Sequence, residues 1–138
     1  MTMGFCKFKG GRYLAVLVVA TVALLANASI ALRYENNHTA SGILDSFFDV
    51  SAATTVTLQV KAPSSGSVAA AILKSDGGDY EAVDQISRTN GSCGSKSVFL
   101  EDNTNTYCLN SIASITTGTA NACVYSTGIV GCCTTQGN

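Results

Sequence analysis

The residues with the most chemistry in them are cysteines. The C-terminal stretch reads NACVYSTGIVGCCTTQGN, with Cys123, Cys132 and Cys133 inside it and the last two adjacent. Cys93 and Cys108 precede them, and Cys6 stands alone near the start. In an oxidising compartment such thiols pair. Adjacent cysteines are poor partners for each other, because a disulfide needs Cα atoms farther apart than one peptide unit places them. On a strand, neighbours also point to opposite faces. Cys132 and Cys133 are therefore expected to reach different partners among Cys93, Cys108 and Cys123, one toward the core and one outward. That would staple the tail to the domain from two sides. Five cysteines after Cys6 is an odd number, so one thiol is expected to be left over, either buried or joining two chains in a disulfide-linked dimer. Zinc is a poor alternative, since no C-x2-C pair exists and the sole histidine, His38, is distant.

Other constellations carry less. A Ser-His-Asp or Cys-His enzyme needs a histidine base beside its nucleophile. His38 lies in YENNHTASG, a polar stretch that reads as an exposed leader, and GSCGS around Cys93 reads as a disulfide cysteine in a loop. Asp76, Asp79, Glu81 and Asp84, then Glu101 and Asp102, supply paired carboxylates. A glycosidase would need two of them flanking a sugar cleft, and a small chain without tryptophan offers little stacking surface. DGGDYE gathers hard oxygens but departs from the calcium-loop pattern, so it reads as a solvated turn. No cofactor motif is present. Asn37-His38-Thr39 and Asn90-Gly91-Ser92 are glycosylation sequons, making Asn37 and Asn90 candidates for a glycan in a eukaryotic host.

The segments that must position these residues begin with an address. Lys7, Lys9 and Arg12 precede an apolar run from Leu14 to Ala26, and Ala26-Asn27-Ala28 is a cleavage pattern, with Ser29-Ile30-Ala31 a second. Residues 1–28 read as a secretory signal peptide, with cleavage possible up to 31. The rival is an uncleaved anchor, for which Leu14 to Leu32 is just long enough. Residues 29–138 then form one secreted domain, with 29–42 a flexible leader. That product carries five Lys and Arg against nine Asp and Glu, a net −4. Its cations are scattered, so nucleic acid is not an expected partner. A membrane is one only if the N-terminal segment stays.

Past the leader, Val56, Leu58 and Val60 alternate with polar residues, the period of a half-buried strand. Pro63-Ser64-Ser65-Gly66 and Asp76-Gly77-Gly78-Asp79 are turns, YEAVDQIS can pair back on SVAAAILKS as a hairpin, and Asn90-Gly91 is another hairpin-type turn, with positive φ easily reached at both positions. KSVFLE, TYCLNSIASITTG and NACVYSTGIVGCC are further short apolar stretches. Turns every ten to fifteen residues favour an all-β, disulfide-stabilised sandwich-like domain. The alternative is α+β, with SGSVAAAILKS or DYEAVDQISR as a helix on a sheet. The functional expectation is a small secreted protein that is not an enzyme and acts by binding an unknown protein or surface target, as a toxin or effector does. The alternative is a structural surface protein assembling through edge strands and the unpaired cysteine. A small hydrolase ranks third.

Overall fold

The computed structural model describes residues 31–101 and 105–133. The segment read as a signal peptide, and Cys6 with it, lies outside the described residues. Eight strands follow one another: β1 Arg33–His38, β2 Gly42–Phe48, β3 Thr54–Lys61, β4 Ser65–Ser75, β5 Glu81–Thr89, β6 Cys93–Leu100, β7 Thr106–Thr117 and β8 Ala120–Ser126. They build two four-stranded sheets, in the orders β1-β8-β3-β6 and β2-β7-β4-β5. Every pairing is antiparallel. Each strand pairs with the one whose number completes nine: β1 with β8, β2 with β7, β3 with β6, β4 with β5. The chain is thus one long hairpin, bent at residues 76–80 and wrapped so that successive strand pairs alternate between sheets. That is the topology of a jelly roll. The protein is all-β, and the α+β alternative fails, since both proposed helical segments are strands.

Alternation builds the core. Val56, Leu58 and Val60 of β3 face Val68, Ala70 and Ile72 of β4, with Val98, Leu100, Tyr107, Leu109 and Val124 closing around them. Tyr34 and Tyr107 stack on either side of Phe48. Fully burying side chains of this size contributes roughly 1.5–3 kcal/mol each. A bulge between Ile72 and Leu73 leaves Val83 of β5 without an opposite residue and lets it pack on the core as well.

Two expectations need correction here. Of the segment read as a flexible leader, the described residues 31–42 are built into the sandwich. Residues 33–38 form an edge strand paired along its whole length with β8, and Gly42 already opens β2. The polar sequence concealed this because the inward positions of β1, beyond Tyr34, are filled by Asn36 and His38. Asn90-Gly91 is a left-handed turn as expected, with φ of 44° and 78°. It does not close a hairpin, however: β5 and β6 lie in different sheets. The turn is pinned instead to the β3–β4 connection, with the Gly91 N–H donating to Pro63 O and the Asn90 N–H to Gly66 O.

Candidate functional site

The cysteine doublet is the end of a strap. After β8 the tail turns back and crosses the outer face of its sheet from one strand to the next. It first meets β1, where Arg33 Nε donates to Val130 O at 2.9 Å. It then meets β8, through the Cys123–Cys132 disulfide. Over β3, the Cys133 N–H donates to Gln59 Oε1 at 2.9 Å. It ends on β6, through the Cys93–Cys133 disulfide. That sequence is the order of the strands in the sheet. Gly131 permits the close passage, because a Cβ there would overlap the Gln59 amide oxygen and the Tyr125 ring. Adjacent cysteines do reach different partners: Cys123 is buried and Cys93 is exposed. Cys108 is disulfide-bonded as well, and no described cysteine is free.

The two flanks of the sandwich differ in chemistry. On the β1/β2 flank the inward positions hold neutral polar groups. Asn36 Nδ2 reaches Leu44 O, Leu109 O and Ser111 Oγ at 2.9–3.1 Å, and Asn36 Oδ1 accepts from the Ser46 hydroxyl at 2.5 Å. His38 Nε2 lies 2.8 Å from Ser111 Oγ. This is the spacing of a nucleophile and its base. His38 is 2% exposed and Ser111 1%, so no substrate reaches them as the protein stands. Burial lowers the His38 pKa, which keeps the ring neutral. His38 was expected in a solvated loop; the alternation of β1 turns it inward.

On the β5/β6 flank the inward positions carry charge. Asp84, Ile86 and Arg88 are cross-strand neighbours of the core residues Ile72, Ala70 and Val68. Lys96 sits opposite Leu58. Cross-strand neighbours share a face, so these charged side chains point between the sheets at their open edge. Lys96 Nζ donates to Asp84 Oδ1 at 2.8 Å and to Gln85 O at 3.3 Å. The Lys96 hydrogen bond holds the Asp84 pKa below the ordinary carboxylate value. Arg88 Nε donates to Cys93 O at 3.2 Å and its Nη1 to Ser87 O at 2.7 Å. The guanidinium lies flat on Gly94, where any Cβ would overlap it. A cavity of about 500 Å³ opens here, lined by Gln85, Ile86, Ser87, Arg88, Ser95 and Lys96 among others. Its volume falls in the range of small-ligand sites.

The two sequon asparagines are both exposed, Asn37 on β1 and Asn90 at the tip beside this cavity. Each already engages its side-chain oxygen: Asn121 Nδ2 donates to Asn37 Oδ1, and the Gly66 N–H donates to Asn90 Oδ1 at 3.0 Å. Sequence reasoning missed the cavity residues. Arg88 and Lys96 looked like two scattered cations, and only the β5-to-β6 crossover brings them to one opening. Among the described residues, no cluster of three or more His, Cys, Asp or Glu is arranged to hold a metal ion.

No family model matches the chain, and no curated protein matches it in sequence. Among solved structures, the chain is similar to the Yersinia pseudotuberculosis-derived mitogen, at 4% identity over 78% of this chain and 93% of that one, with a TM-score of 0.48. It is also similar to a chain from infectious bursal disease virus strain Gx, at 13% identity over 73% of this chain and 32% of that one, with a TM-score of 0.30.

Proposed function

We propose that this is a small secreted domain that acts by binding a target rather than by catalysis. The observation that carries the reading is the contrast between the two flanks. The one Ser–His pair with catalytic spacing is sealed inside the sandwich, whereas the charged flank is open to a ligand. The disulfide strap supports an oxidising destination, since such bonds persist outside the cytosol. Recognition then rests on a rigid scaffold presenting side chains from two strand edges.

The test begins with expression of the full chain from a secretion-competent host and its intact mass in the medium, before and after reduction. The reading expects residues 1–28 to be gone, with cleavage possible up to 31. A chain cut there keeps five cysteines, so a bonded Cys108 would join it to a second chain or a small thiol, and reduction would reveal which. Retention of residues 1–28 would overturn the signal-peptide assignment. The labelled product is next titrated onto intact cells and isolated surface proteins. Saturable binding is expected; its absence across that panel would overturn the binding role.

A further inference from the structure

We infer that the β5/β6 cavity is a carboxylate site, built to take an acidic segment of a partner protein on Arg88. This rests on the binding role proposed above and gives it a ligand class. The ion pairs among the described residues join Arg33 to Glu35, Lys74 to Glu81 and Glu101, and Lys96 to Asp84. Arg88 belongs to none of them. Its charge is held in place by neutral groups alone: two backbone carbonyls and the face of Gly94. A guanidinium has five N–H donors. Two are used on Cys93 O and Ser87 O, which leaves three pointing elsewhere in a fixed plane. Lys96 has three donors and uses two, which leaves one. Asp84 is already neutralised by Lys96, so the opening is left with a net positive charge.

A planar, anchored guanidinium matches a carboxylate, which accepts two parallel N–H bonds. Immobilisation by Gly94 removes much of the rotamer entropy that an arginine normally loses on binding. An acidic sugar would supply the same group, but sugar rings favour aromatic platforms, and the cavity lining contains no aromatic side chain. Strand addition by the partner is opposed. The Gln85 N–H is taken by Asp84 Oδ1, and the Gln85 and Ser87 carbonyls by Lys96 and Arg88. The partner is thus read through its side chains.

The experiment is an amide NMR titration of the full chain with a blocked peptide of alternating Glu and Gly, its Gln counterpart, and glucuronic acid. The Glu peptide is expected to shift resonances within residues 84–96. Arg88→Ala should weaken its binding at least tenfold with amide dispersion unchanged. Arg88→Lys, which keeps the charge and loses the planar fork, should fall in between, and Gly94→Ala should resemble Arg88→Ala by displacing the guanidinium. Absence of shifts with the Glu peptide would overturn the inference, as would equal shifts with the Gln peptide or undiminished binding by Arg88→Ala. Glucuronic acid binding at this opening in preference to the peptide would overturn the protein-partner assignment. Saturable cell binding that survives Arg88→Ala would sink this inference alone, whereas no cell binding by the unmodified chain would sink the broader role.

Discussion

Separate removal of the two straps measures how the tail is held. Cys93 and Cys133 are 40 residues apart, and Cys123 and Cys132 are 9 apart. Closing a ring of nine residues in the unfolded chain removes entropy worth about 2.6 kcal/mol at 25 °C. With that inner bond intact, the outer ring is short-circuited between positions 93 and 123, to roughly 30 residues, which makes it worth about 3.7 kcal/mol. The paired replacement Cys93→Ala with Cys133→Ala should therefore cost about 1 kcal/mol more than Cys123→Ala with Cys132→Ala. Alanine is used at all four positions because Cys123 is fully buried and alanine introduces no new polar group there. The inner variant also loses the sulfur that accepts the Cys132 N–H at 3.1 Å, but that amide is half-exposed and water replaces it. Guanidinium unfolding, followed by tyrosine fluorescence, gives both values. An inner bond that matters more than the outer, or either loss below about 1 kcal/mol, would refute the strap as a constraint on the unfolded chain.

Three further outcomes test the packing. Gly131→Ala should cost about 1–3 kcal/mol, because its Cβ has to displace the Gln59 amide and the Tyr125 ring, and the same unfolding titration reads it. Asn36→Ala should cost about 1–3 kcal/mol by stranding the Ser46 hydroxyl and the carbonyl of Leu109, whereas Gln59→Ala at the half-exposed outer face should cost less. His38 is buried neutral, with its folded pKa below its unfolded 6.5. Its contribution is therefore fully present above pH 6.5 and is lost as pH falls through the folded pKa. Melting temperatures between pH 8 and pH 5 should decline for the unmodified chain and decline less for His38→Gln; identical slopes would show that another group governs the fall.

What the sequence disclosed was whatever a short window could contain. Val56, Leu58 and Val60 announce β3 because one side chain in two is apolar and the core takes that face. Asp76-Gly77-Gly78-Asp79 announces the β4–β5 hairpin because the backbone must reverse there, and Gly77 indeed adopts a φ of 115°. The divergence of Cys132 and Cys133 also follows from local covalent geometry. β1 was hidden because Asn36 and His38 are satisfied by Leu44, Leu109 and Ser111, strands away in sequence. No window around YENNH shows that its polar groups have buried partners. The strap was hidden for a related reason. Its crossing of β1, β8, β3 and β6 in turn depends on the order of strands in a sheet, which the chain assembles from both its ends.

The same non-local logic decides what kind of binder the domain can be. A two-sheet sandwich leaves four edge strands, and an open edge recruits other chains. On the β5/β6 flank, the side chains that an alternation rule would make apolar are Asp84, Arg88 and Lys96. Asp84 and Arg88 bend back onto β5 and Lys96 reaches across from β6, and together they cap the Gln85 N–H and the Gln85 and Ser87 carbonyls. Inward-pointing charge at a sheet edge is a known defence against strand addition. Assembly into sheets through β5 is therefore disfavoured, and the structural-protein alternative is weakened on this flank. The hydrogen bonds on this flank occupy two of the Arg88 donors and two of the Lys96 donors, and the rest are left for the opening. One arrangement thus closes the edge to strand addition and leaves fixed positive charge where an acidic side chain can meet it.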